Sequence, residues 1–225
     1  MITVATWNVL HRIHAENWGE DVATHWPDES KRVAAIAGRV AELPAEVVAL
    51  QEVSGDLLAA IRATTGRTVH AMRYRRVPRP RKMPSQLKDD TEYLVLLVDG
   101  PSRVITELQF HDDWGKGGLA VHTAGLTMVA THVSWWEAKR AGQLAKLRDL
   151  AVEPAVLMGD FNADGDTVVS GLGEGFRVAE LPPGATTQGE QAIDHVIVRG
   201  ATATNARVLD NEGLSDHHPV LATIS

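Results

Sequence analysis

The sequence predicts an α/β protein in which two packed β-sheets carry helices on their outer faces. Three observations predict it. Helix-period and strand-period segments alternate in both halves of the chain, and an unbroken series of strands fills the middle. The 225 residues, 44% of them hydrophobic, suffice for a sizeable core. No repeat, low-complexity tract or linker interrupts the pattern, so residues 1–225 are expected to form one domain.

A first strand covers 2–10 and leads to Asn8. His11 to Pro27 reads as a loop rich in His and Trp. A helix from Glu29 to Leu43 follows, with Val33, Ile36, Ala37 and Val40 on one apolar face, and Pro44 ends it. Val47 to Leu50 is a short buried strand that delivers Gln51 and Glu52 at its far end. A second helix covers Asp56 to Thr64, with Leu57, Leu58 and Ile61 inward. The period then changes to that of strands, over 69–77, 93–98, 104–110, 119–122 and 126–133. Pro78, Pro80 and Pro84 mark a loop between the first two of these. Glu137 to Leu150 is a helix with Ala141, Leu144, Ala145 and Leu147 inward. Strands over 155–158, 192–198, 202–209 and 220–224 complete the chain.

Composition narrows the function. No apolar run approaches the roughly 20 residues of a membrane helix. The N-terminus enters a strand without the basic and apolar pattern of a signal peptide. The absence of cysteine excludes disulfides, thiolate metal sites and a cysteine nucleophile, and suits a cytoplasmic protein. A net charge of −7 argues against a broadly basic nucleic-acid coat. Locally the balance reverses: Arg73, Arg75, Arg76, Arg79, Arg81, Lys82 and Lys88 hold seven of the 22 positive charges. That stretch reads as a solvated loop or as a substrate-steering element.

Titratable residues are costly at the ends of apolar strands unless they meet partners or a metal. Taken singly, Asn8 fits a turn, Glu52 a helix cap, His132 a satisfied core histidine and Gly159-Asp160 a turn. Taken together, Asn8, Glu52, His132, Asp160, Asn162, Asp194, Asp216 and His217 nearly all stand at or just past the end of an apolar run. That placement points to one converging catalytic site.

The ordered set resembles the endonuclease/exonuclease/phosphatase superfamily, which includes deoxyribonuclease I, abasic-site endonucleases, deadenylases, sphingomyelinases and inositol polyphosphate 5-phosphatases. The resemblance rests on Thr6-Trp7-Asn8-Val9-Leu10, Leu50-Gln51-Glu52-Val53, Thr131-His132-Val133, Gly159-Asp160-Phe161-Asn162, Ile193-Asp194-His195 and Ser215-Asp216-His217-His218-Pro219. The fourth and sixth of these are the specific ones. The resemblance implies a four-layer sandwich of two mixed β-sheets flanked by helices, like deoxyribonuclease I.

It also implies a metal-dependent phosphoric ester hydrolase. Hard oxygen donors suit Mg2+, with Mn2+ as a substitute. Glu52 is then the principal metal ligand, with Asn8 and Asp216 nearby and acting partly through water. His217 activates water or contacts the scissile phosphate, oriented by Asp194. His132 stabilises developing charge or protonates the leaving group. Asp160 and Asn162 position nucleophile and phosphate, and share one side where the backbone between them is extended. Either Asp160 or His217 is the base.

His195 and His218 alternate with Asp194 and His217 and are expected to be structural. Arg140 reads as a surface or packing residue. Trp135 and Trp136 follow His132 and either stack on a base or cap the core edge. His11, His14, Trp18, His25 and Trp26 read equally as a specificity loop and as structural residues.

Abasic-site endonucleases carry an acid where this chain has Leu10 and a Lys soon after the Glu52 equivalent, where it has Val53-Ser54. Leu10 also favours a single dominant metal. The motifs lie nearer the deadenylase, Angel-type and sphingomyelinase-like branches, and no exposed apolar hairpin suits a lipid substrate. The expected substrate is a phosphodiester or terminal phosphate of a nucleic acid or nucleotide, RNA ahead of DNA, acted on by a monomer away from membranes. The alternatives are a phosphomonoesterase or cyclic-phosphate hydrolase for a small nucleotide or sugar phosphate, and a non-catalytic phosphate-binding module.

Overall fold

The computed structural model describes residues 1–225. In chain order the elements are β1 (Ile2–Asn8), α1 (Arg12–Trp18), α2 (Asp21–His25), α3 (Glu29–Glu42), β2 (Val47–Ser54), α4 (Gly55–Thr64), β3 (Thr68–Arg73), β4 (Glu92–Val98) and β5 (Ser102–Gln109). There follow β6 (Gly117–Thr123), β7 (Leu126–His132), α5 (Glu137–Leu150), β8 (Ala155–Asp160), α6 (Gly165–Leu172), β9 (Phe176–Val178), β10 (Asp194–Arg199), β11 (Ala203–Val208) and β12 (Val220–Ile224).

The strands form two six-stranded sheets, ordered β11-β12-β1-β2-β4-β3 and β5-β6-β7-β8-β10-β9. Each is mixed, with one parallel pair at its centre: β1 with β2, and β7 with β8. The other pairings in both sheets are antiparallel.

Alternation along the central strands builds three apolar layers, because successive side chains face opposite ways. Val4, Val47, Ala49, Leu94, Leu96, Met128, Ala130, Val156 and Met158 meet between the sheets. Their neighbours Ala5, Trp7, Val48 and Leu50 face outward onto Ile36 and Val40 of α3 and Leu57 and Ile61 of α4. On the other side, Val129, Leu157 and Ile197 face Leu144 and Leu147 of α5 and Val168 and Leu172 of α6. The expected sandwich is therefore present. No helix is long and apolar enough to cross a membrane.

Several elements differ from expectation. The stretch from His11 to Pro27 is not a plain loop, since it holds α1 and α2. The His11 side chain accepts from the Ile13 N–H to cap α1, Gly19 ends that helix at φ 79°, and buried Arg12 and Glu16 pair at 2.6 Å. Helix α6 and strand β9 were not expected. Asp164 caps α6 by accepting from the Thr167 N–H at 2.9 Å. Within α5 it is Gln143, not Ala141, that is buried; its Oε1 accepts from the Ser134 N–H at 2.8 Å.

The parallel pairs position the site, since their carboxyl ends open on the same edge of the sandwich. Asn8 ends β1, Glu52 lies near the end of β2, and His132 and Asp160 end β7 and β8. Arg32 of α3 holds this edge together from beneath. Its guanidinium binds both Glu29 oxygens at 2.8 and 2.9 Å. It also donates to the Val9, Leu10 and Leu214 carbonyls at 3.2, 2.8 and 2.8 Å. The chain just after Asn8 is thereby tied to the chain just before Asp216.

Candidate active site

Three sequence-distant side chains lie in one row across the second sheet. His132 is in register with Asp160, and Asp160 with Asp194. Side chains in one row of a sheet share a face. Gly159 lets the strands approach, because a Cβ there would lie 2.0 Å from the Thr131 carbonyl oxygen. Asp160 Oδ2 is 3.2 Å from His132 Nε2 and accepts from Asn8 Nδ2 at 3.1 Å, while Oδ1 accepts from the Asn162 N–H at 2.9 Å. Burial works against its charge, but His132, His217 and Lys116 outweigh burial and hold the Asp160 carboxyl well below the usual carboxylate range.

His217 approaches from the segment before β12. Its Nδ1 lies 2.8 Å from Asp194 Oδ2, which also accepts from Thr186 Oγ1 at 2.8 Å. Its Nε2 is 3.9 Å from Asp160 Oδ2. Burial opposes the imidazolium, but Asp194, Asp160 and Asp216 raise the His217 pKa well above the ordinary 6.5.

Glu52 sits where β2 is irregular, between Leu50 and Val53. Its φ is 59°, and Leu10 and Asn162 are also left-handed at 54° and 51°. Such backbone is costly for residues with a Cβ and persists only where the surroundings enforce it. Here it turns Glu52 into the site, where it accepts from Asn8 Nδ2 at 3.3 Å and the His11 N–H at 3.1 Å. Burial would raise its pKa, but the charges of His14, His132 and Lys116 lower it to about 2.

Asn8 presents its nitrogen to Glu52 and Asp160, because its Oδ1 accepts from the Leu10 N–H at 3.0 Å. It enters as a donor to both carboxylates. Asn162 reaches the site through its left-handed backbone instead of an extended one, and its Nδ2 donates to the Val133 carbonyl at 3.0 Å.

Seven of the eight expected residues line one cavity of about 950 Å3. The eighth, Asp194, stands behind His217. His195 faces away, its Nε2 2.8 Å from the Ala163 carbonyl, and His218 lies outside the cavity lining. Of the His- and Trp-rich cluster, His14 and Trp18 line the cavity, whereas His11, His25 and Trp26 do not. Trp135 lines it and Trp136 does not; Arg140 Nη2 donates to the Trp135 carbonyl at 2.7 Å.

Two further polar residues were not expected at the site. Lys116, almost fully buried, brings Nζ against His132 Nε2, the same nitrogen that faces Asp160. Glu92 is fully buried, with Oε2 3.4 Å from both His14 Nε2 and Arg76 Nη2. Glu92 opens an apolar run instead of closing one, and Lys116 precedes a strand that opens on two glycines. Polar residues at strand starts carry the same signal as those at strand ends.

The donor set fits a hard divalent cation. Carboxylates of Glu52 and Asp216 face the cavity, and ligand atoms of His14, Glu52 and Glu92 lie within 4.8 Å of one another. Asp216 is short of partners, its carboxylate meeting only Ser215 Oγ at 3.3 Å. Burial, partly offset by His217 and reinforced by Glu52, raises its pKa from 3.8 to about 6. An acid raised in this way destabilises the fold once ionised, with the cost growing above pH 3.8 and complete above about 6. Asp216→Asn is expected to stabilise the metal-free protein at pH 7 by about 1–2 kcal/mol, after discounting for partial exposure. At pH 4 the gain is expected to vanish. Urea unfolding in EDTA at both pH values checks this, and equal midpoints at pH 7 contradict it.

A family model described as the Endonuclease/Exonuclease/phosphatase family matches residues 5–217. Solved structures share the fold. A conserved protein of unknown function from Enterococcus faecalis V583 superposes with a TM-score of 0.75 at 18% identity, covering 100% of this chain and 99% of that one. An endonuclease/exonuclease/phosphatase from Bacteroides vulgatus gives 0.71 at 16% identity, covering 100% and 98%. TDP2 from D. rerio, complexed with a single-strand DNA product, gives 0.69 at 15% identity, covering 100% and 98%. No curated protein sequence matches the chain.

Proposed function

The chain belongs to the endonuclease/exonuclease/phosphatase family, whose members hydrolyse phosphoester bonds with a divalent metal, and from that premise we propose that it is a Mg2+-dependent phosphodiesterase acting on a nucleic acid or nucleotide. The observation that carries this reading is the line Asp194–His217–Asp160–His132 beside Glu52, in which His217, Asp160, His132 and Glu52 face one cavity. The single-strand DNA product on the D. rerio TDP2 fold supports a nucleic-acid substrate.

A phosphodiester repels an incoming oxygen and has a poor leaving group, so charge must be neutralised and protons moved. Glu52 and Asp216 would hold a divalent ion, which would supply Lewis-acid neutralisation of the phosphoryl oxygens. His217, held charged by Asp194, contacts a non-bridging oxygen and stabilises the growing negative charge. Asp160, fixed by Asn8 and Asn162, orients the attacking water and takes its proton as the new O–P bond forms. On this assignment Asp160 is the base, because its carboxylate faces the cavity while the His217 imidazole is already bound to Asp194 through Nδ1. His132 and Lys116 meet the leaving oxygen with positive charge and a proton as the old P–O bond breaks.

The test is a panel of single-stranded RNA, single-stranded DNA, cyclic-phosphate ends and small phosphate esters with Mg2+, Mn2+ and EDTA. Metal-dependent cleavage of a diester is expected. Failure to turn over any phosphoester with either metal overturns the proposal.

A further inference from the structure

The basic loop between β3 and β4 is neither free nor neutralised. Arg75, Arg76, Arg79 and Arg81 all line the cavity that holds the catalytic groups. Arg76 has acid partners, Glu92 at 3.4 Å and Asp113 at 3.9 Å. Arg75, Arg79 and Arg81 are exposed and have none, although acids outnumber bases 29 to 22 in the chain. Uncompensated like charges repel, so three of them held at one cavity mouth imply an anion that belongs there.

The backbone carrying them is pinned at several points. The Arg75 N–H donates to Gln109 Oε1 at 3.3 Å, and the Arg76 N–H to the Trp114 carbonyl at 3.2 Å. Asn17 of α1 binds the far end in both directions: its Nδ2 donates to the Arg79 carbonyl at 3.0 Å and its Oδ1 accepts from the Arg81 N–H at 2.9 Å. Pro78 and Pro80 fix φ between these anchors. The strap therefore presents its guanidinium groups from a set backbone.

Indole faces accompany the cations. Trp18 and Trp135 line the same cavity at 68% and 66% exposure, a large apolar area to leave in water. Trp18 lies under Arg81, with Cζ 5.7 Å from the ring centroid. Trp135 follows β7, so it flanks the His132 side of the site. A small phosphate ester has one anionic group and leaves the strap and both indoles without counterparts. A single-stranded nucleic acid has repeating phosphates and unpaired bases with free faces for stacking. Paired bases have no such faces to offer.

We propose that the strap of residues 75–81, with Trp18 and Trp135, is a binding track for the single-stranded nucleic acid flanking the scissile phosphate. Arg75, Arg79 and Arg81 contact neighbouring phosphates, and the two indoles stack on bases. This rests on the phosphodiesterase reading of the same cavity, but binding is measurable without turnover.

The test is fluorescence polarisation of fluorescein-labelled decathymidylate and decauridylate in EDTA between 50 and 200 mM salt, with wild type and an Arg79→Ala/Arg81→Ala variant. Each phosphate contact on a single strand contributes about −0.7 to the slope of log K against log salt. The double variant is expected to flatten the slope by about 1.4 on whichever oligomer binds. Both side chains are exposed, so the fold tolerates their loss. Equal slopes and affinities in the two proteins overturn the track, as does equal binding of the same decamer annealed to its complement. Salt-dependent binding without hydrolysis of any ester overturns the catalytic reading and leaves the track standing.

Discussion

Replacing His217 by Ala is expected to lower kcat on a phosphodiester by about 10²- to 10⁴-fold, the usual contribution of a positioned proton-bearing group. The fold is expected to survive, because the structural bonds at this position belong to the backbone. The His217 carbonyl accepts from Trp7 Nε1 at 3.0 Å and Asn211 Nδ2 at 2.9 Å, and its N–H donates to Ser215 Oγ at 3.1 Å. Only the imidazole, between Asp194 and Asp160, is removed. Steady-state kinetics with thermal unfolding as a control check this. A fall in kcat that follows a loss of folded protein would contradict the assignment, as would unchanged kcat. Because His217 acts charged, activity is expected to decline on the alkaline side as it loses its proton.

The largest stability effect is expected at Arg32. Its guanidinium is almost fully buried and serves Glu29 and three carbonyls from two loops. Arg32→Ala leaves Glu29 in the interior with Arg12 Nη1 at 3.5 Å as its remaining guanidinium partner. Breaking such a buried pair costs about 3–5 kcal/mol, a large share of the roughly 5–15 kcal/mol that holds a domain folded. Urea unfolding measures it, and a loss below about 1 kcal/mol contradicts the clamp. The same variant is expected to loosen the site, since Arg32 joins the chain after Asn8 to the chain before Asp216.

The residues show why some of this was legible in the sequence. Apolar strands with acids, amides and imidazoles at their ends, such as those closing on Asn8, His132 and Asp160, announce both a buried sheet and a reason to put charge at its edge. The two mixed sheets followed from that pattern and the family's order of motifs, which also singled out the eight candidate residues. Contacts set by backbone turns were not legible. Leucine at position 10 gives no sign of its left-handed φ, yet that turn occupies the Asn8 oxygen and makes Asn8 a donor. Helix α1 was hidden because its buried face mixes Ile13 and Ala15 with a paired Arg12 and Glu16. Helix α6 begins with Asp164-Gly165-Asp166, which composition assigns to a turn. Lys116 and Glu92 gave no such strand-end sign, because they stand at the entrances of strands instead of their exits.

The central claim is that Asp160 and His217 face each other across a metal-dependent hydrolytic centre. Single-turnover cleavage of a labelled single-stranded decamer tests it most directly, with Mg2+ or EDTA, for wild type, His217→Ala and Asp160→Ala, each confirmed folded. The account predicts Mg2+-dependent cleavage by wild type, none in EDTA, and rates at least about 10²-fold lower in both variants. Wild-type cleavage rates in either folded variant, or cleavage by wild type that persists in EDTA, would contradict it.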